Sequence, residues 1–169
     1  LFLGCMHLWF WQRDRSQGAL ACVGVAYVIA AVGAGLVAAR GSVPDRVSID
    51  IANALIALGY GLIWTAMRQF EQRRPRPVVA ALGALAWLLA CQLPALYESL
   101  PARLVILSCV VGTYSTLAAL ELLRGEVSRN LPSRMPLIAV LFFNVFIYGL
   151  RAPLLLLAPI REEGMALPV

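Results

Sequence analysis

The sequence predicts an all-α fold, a polytopic transmembrane helix bundle of six helix segments. The first is read as truncated, and the parent as a seven-helix protein. Three observations carry this. The 169 residues are 61% hydrophobic and only 14% charged, with a mean hydropathy of +0.80. Soluble domains carry about 45–50% apolar and about 25% charged residues, so the surplus cannot fit inside one small core and the bilayer is its natural solvent. Five apolar runs each reach the ~20 residues that cross a hydrocarbon layer about 30 Å thick. Short loops join them, which favours antiparallel neighbours in a compact bundle.

The elements follow in order. LFLGCMHLWFW, residues 1–11, is too short to span and starts without methionine. It reads as the tail of a helix cut at a fragment boundary. A signal peptide is not expected, because the run has no basic n-region and RDR follows directly. The five spans are predicted at about 19–39, 48–67, 77–97, 102–123 and 136–159, with 160–169 as an extracytoplasmic tail or loop. All of 1–169 forms one transmembrane domain. Pro77, Pro101 and Pro136 lie where helices begin, and proline suits a first helical turn because its missing N–H has no partner there anyway. Pro94 and Pro153 fall inside the fourth and sixth spans and are expected to kink them.

The net charge of +5 raises nucleic acid as a partner. The arginines sit between apolar runs and form no basic face, which argues against it. All fourteen basic residues are Arg and none is Lys, the bias of a GC-rich bacterial genome. Cys5, Cys22, Cys91 and Cys109 each lie in an apolar run without a CxxC, as buried free cysteines do. With His7 as the lone histidine, neither a metal site nor any cofactor is expected.

Orientation comes from the arginines. Nine lie in alternate loops (Arg13, Arg15, Arg68, Arg73, Arg74, Arg76, Arg124, Arg129 and Arg134), and four in the opposite ones (Arg40, Arg46, Arg103 and Arg161). The positive-inside rule places the richer loops in the cytoplasm. The expected setting is a bacterial inner membrane, with the N-terminus of this stretch outside.

Arg151 interrupts the last apolar run, eight residues before Pro159, roughly 12 Å inside its outer end. A charge at that depth is costly and faces a partner or water. Asn144, Tyr148 and Arg151 recur at i, i+4 and i+7 and share a helix face. On the third span Asp50, Asn53, Ala57, Tyr60 and Trp64 form a matching stripe. The expectation is an Arg151 contact to Asp50 or Asn53, lining an outward-facing cavity with Tyr60, Asn144 and Tyr148, open to a small-molecule signal. The plainer alternative is that Arg151 snorkels to the headgroups or pins two helices together.

Smaller features are read as packing. Ala31/Gly35/Ala39, Ala57/Gly61 and Ala80/Ala84 allow close helix approach. Ser108, Gly112 and Ser115 share a face of the fifth span and are expected to hydrogen-bond within the bundle. Trp9, Trp11, Tyr97 and Trp64 suit helix ends, and Glu121 is expected to reach Arg124 or Arg68. No phosphate-binding glycine loop, HExxH or nucleophile elbow occurs, so no enzyme is expected in these residues.

Two stretches carry a resemblance. LWFWQRDRSQG (8–18) and ARGSVPDRVSIDIANALIALGYGLIWTAMRQF (39–70) contain W-x-RD, RG-x-VPD-x-x-SI-x-x-AN and GYGL-x-W-x-x-x-R-x-F. LPSRMPL (131–137) and the Arg151-x-Pro153 pair fit the same pattern. It resembles the N-terminal multi-pass membrane region of bacterial GGDEF-type diguanylate cyclases. The resemblance implies a sensory input module. One more helix would lead to a cytoplasmic cyclase that makes cyclic di-GMP and is dimeric through the parent protein. No GGDEF sequence occurs in these residues. The alternatives are a small transporter or permease-like bundle, or a non-sensing membrane scaffold subunit.

Overall fold

A computed structural model describes residues 1–157. It is all-helical. In chain order the helices are α1 (Phe2–Arg13), α2 (Gly18–Ala38), α3 (Ala52–Phe70), α4 (Pro77–Ala90), α5 (Pro94–Tyr97), α6 (Leu100–Leu123) and α7 (Arg134–Leu157), and a π-helical turn, Arg46–Ile51, leads directly into α3. Among the described residues, four helices are long and apolar enough to cross a membrane: α2, α3 with its π-turn, α6, and α7 as far as Arg151. The predicted tail and Arg161 lie outside the described residues.

The fourth predicted span is not one helix. α4 has 14 residues, about 21 Å at 1.5 Å per residue. The break falls at Pro94, which disfavours the α-conformation at the residue before it. Leu93 is extended, at φ −92° and ψ 112°, and Pro94 opens the separate turn α5. Pro94 ends a helix and does not kink one. Ser99 then caps α6, its Oγ accepting from the Ala102 N–H at 3.3 Å. Pro153 behaves differently, since α7 runs through it to Leu157.

α3 is the centre of the bundle. α2, α4 and α6 pack on it, α1 packs on α2, and α7 packs on α6. Small residues set the approach of α2 to α3. A Cβ on Gly33 would lie 2.7 Å from the Ala52 carbonyl oxygen, and one on Gly59 would lie 3.2 Å from Ala26 O and Ala30 Cβ. The α2 face in use is therefore Ala26/Ala30/Gly33. The predicted Gly35 face is open, with nothing within 4 Å of a Cβ there. Gly61 meets the Ala80 backbone of α4, as the Ala57/Gly61 pattern implied.

α6 joins α4 through Tyr114. Its hydroxyl donates to the Val79 carbonyl at 2.7 Å and accepts from the Gly83 N–H at 2.9 Å, wedged into the α4 backbone ladder. A side chain at position 83 would strike that ring.

Candidate functional site

The sequence-predicted residues divide into two groups, one toward each end of the bundle. Tyr60, Asn144 and Tyr148 come together. The Tyr60 and Tyr148 rings meet edge-on with centroids 6.5 Å apart, and the Tyr60 hydroxyl lies among Asn144, Tyr148 and Tyr27. Ser115 of α6 donates to Asn144 Oδ1 at 3.0 Å, a hydrogen bond between α6 and α7. Of the predicted Ser108/Gly112/Ser115 face only Ser115 bonds across helices, because Ser108 turns back to the Leu104 carbonyl of its own helix.

Tyr60, Asn144 and Ser115 line a cleft of about 330 Å³ between α2 and α7, floored by α3 and α6, while Tyr148 stands behind Tyr60 outside its lining. Val23, Tyr27 and Ala30 form one wall, Leu137, Val140, Leu141 and Asn144 the other. The floor is closed, with Ser115 2% exposed and Ala118 1%. No charged side chain lines the cleft. It lies toward the arginine-rich end and does not reach the outer half where the sequence placed a cavity.

Asp50 and Asn53 belong elsewhere. Among the described residues no ion pair or hydrogen bond joins either of them to Arg151, so the expected pairing is not formed. The reason is rotation and packing: the π-turn packs on α2 and α4, and α7 packs on α6. Asn53 donates to the Ile49 carbonyl of its own helix at 2.8 Å.

Asp50 is 9% exposed, and its Oδ1 has no partner among the described residues. Its backbone carbonyl, freed by the wider π-turn, accepts from the Trp87 indole at 3.1 Å. Both Asp50 and Arg103 lie close to Cys91 and Tyr97. Arg103 stands over the Tyr97 ring, and its Nε is likewise buried without a partner. Sequence reasoning missed Arg103 here, because the break at Pro94 is what brings the start of α6 to Asp50.

The arginine-rich end holds a network that the sequence revealed only in part. Glu121 pairs with Arg68, as expected, and also with Arg73 at 2.6 Å. Arg124 does not pair with Glu121; its carbonyl accepts from Arg73 at 3.1 Å. The buried Glu71 carboxylate accepts from the Val127 and Ser128 N–H groups at 3.0 and 3.1 Å. Gly125 is required beside it, since any side chain there would collide with that carboxylate. Arg134 donates to the Leu122 and Leu123 carbonyls at 2.8–3.1 Å, closing the end of α6. The signal was visible at Glu121, an acidic residue among arginines, and missed at Glu71; the partners of both depend on the fold.

Outside these sites, His7 bonds to the Leu3 carbonyl of its own helix at 2.7 Å and leans on the Tyr27 ring. Among the described residues no group of His, Cys, Asp or Glu could hold a metal ion, and all four cysteines are free.

Comparison with known protein families, curated proteins and solved structures gives no match.

Proposed function

We propose that this chain is the transmembrane input module of a bacterial signalling protein, controlling a cytoplasmic diguanylate cyclase that lies outside these residues. The observation that carries the reading is the cleft. It is large enough for a small molecule, and one of its walls is α7, which packs on α6 and has few ties to the rest of the bundle. A ligand that spans the cleft touches α2 and α3 on one side and α7 on the other. It favours one position of α7 by its differential affinity for the two arrangements. The likeness of residues 8–18 and 39–70 to GGDEF input regions supplies the output. The parent is then dimeric and sits in the inner membrane with the arginine-rich loops inside.

The transporter reading asks for a polar path through both halves of the membrane. Trp64, Tyr114 and Ala118 instead form an apolar cluster at the cleft floor, and the Arg68–Glu121–Arg73 network closes the arginine-rich end of the bundle.

The test is cellular. Tyr60→Leu, in the cleft, should change cyclic di-GMP severalfold in the full-length gene product while membrane insertion and protein level stay the same. An unchanged nucleotide level at normal expression removes the proposal.

A further inference from the structure

We infer that the α2–α7 cleft binds a neutral, lipid-soluble ring compound bearing a carbonyl, a molecule of the quinone kind. The inference rests on the input-module reading for its consequence but not for the binding itself.

Three features of the cleft select this chemistry. The first is charge. No Arg, Asp or Glu lines it, and an uncompensated ion inside an apolar site is costly. Carboxylates and phosphates are thereby excluded, which removes fatty acids and lipid headgroups.

The second is hydrogen bonding. Asn144 Oδ1 is already engaged by the Ser115 hydroxyl. Its amide is hydrogen-bonded to the Tyr60 hydroxyl, which also meets Tyr148, and the second amide N–H of Asn144 remains. A donor on an otherwise apolar wall matches an acceptor oxygen such as a carbonyl.

The third is shape. Tyr27, Tyr60 and Tyr114 contribute aromatic surface and Met67 a polarisable thioether, which suits a flat ring over a straight alkyl chain. A volume of about 330 Å³ falls at the small end of ligand sites and fits a ring head with a short tail. Val140, 63% exposed, stands at the mouth. A helix wall exposed there faces lipid, so the ligand enters from the hydrocarbon.

The protein in quinone-free phosphatidylcholine nanodiscs is titrated with ubiquinone-1, following tryptophan quenching. Trp64 shares a cluster with Tyr60, Met67 and Tyr114 and is the internal reporter. Saturable quenching is expected. Asn144→Leu should weaken binding about tenfold, and Val140→Phe should weaken it by a similar factor through the mouth while leaving the unfolding temperature unchanged. Decanol should not compete at equal membrane concentration.

Quenching that rises linearly with added quinone and is the same in Val140→Phe overturns the inference. So does full competition by decanol, which would mean an unselective apolar groove. Cellular cyclic di-GMP separates the two proposals. Saturable binding with a nucleotide level indifferent to Asn144→Leu sinks the signalling role and leaves the site. A nucleotide response to Tyr60→Leu without quinone binding does the reverse.

Discussion

The two ends of the bundle treat buried charge in opposite ways. At the arginine-rich end each buried carboxylate is satisfied. Glu121 holds two guanidinium groups, and Glu71 holds two backbone N–H groups of the α6–α7 loop. At the opposite end Asp50 Oδ1 and Arg103 Nε are both buried without partners among the described residues. A buried polar group left without a hydrogen bond costs on the order of 1–3 kcal/mol. At the first end the unpartnered buried atom is the neutral Gln69 Oε1. At the second the unpartnered atoms belong to charged side chains, a cost that a shift of helices or an arriving water or ligand would relieve.

Breaking the satisfied end should have the largest effect. Glu121→Ala strands two guanidinium groups against a largely buried surface, with side-chain exposures of 11% at Arg68 and 38% at Arg73. Breaking a buried pair costs about 3–5 kcal/mol, and the exposure of Arg73 moves the expectation to the lower end. Thermal unfolding in detergent should show a clear fall in midpoint.

The opposite end should respond with the opposite sign or hardly at all. Asp50→Asn removes a buried charge whose Oδ1 has no partner among the described residues, so its cost should stay below about 1 kcal/mol, with the midpoint unchanged or raised. A loss as large as that of Glu121→Ala would mean that Asp50 is paired, and the contrast between the ends would fall.

The smallest effect belongs to the exposed α1–α2 turn. There Asp14 accepts from the Ser16 hydroxyl at 2.6 Å, the Gln17 amide at 2.9 Å and the Ser16 N–H at 3.1 Å. The Ser16 and Gln17 side-chain bonds, and then the Ser16 backbone bond, hold the Asp14 carboxyl below its ordinary 3.8. A lowered carboxyl contributes stability above the unfolded value and loses it as pH falls through the folded one. Asp14→Asn should therefore act slightly at neutral pH and not at all once the pH is well below 3.8. An NMR titration of the turn would check the direction.

Much of the helix layout was legible because each span needs a long apolar run. α2, α6 and the start of α7 fall within two residues of expectation. Asn144 and Tyr148 shared a face because i, i+4 spacing is a property of the helix alone. What one chain's periodicity does not contain is the rotation of one helix against another. Asp50 and Arg151 looked complementary by depth, yet the π-turn faces α4, and the Pro94 break brings Arg103 to its neighbourhood instead. The use of Gly33 and Gly59 in place of Gly35 has the same origin. Glu71 was missed, because its partners are backbone amides 56 and 57 residues away and no side-chain pattern announces those.

Arg134 ties the base of α7 to the end of α6 through the Leu122 and Leu123 carbonyls. From that anchored foot α7 rises for 24 residues, about 36 Å. Leverage follows. A ligand that prises the α7 wall outward by ~0.8 Å some 9 Å above the foot tilts it by roughly 5°, and carries its far end about 3 Å sideways. A displacement too small to disturb packing at the foot becomes, at the far end, the size of shift that repacks a helix interface.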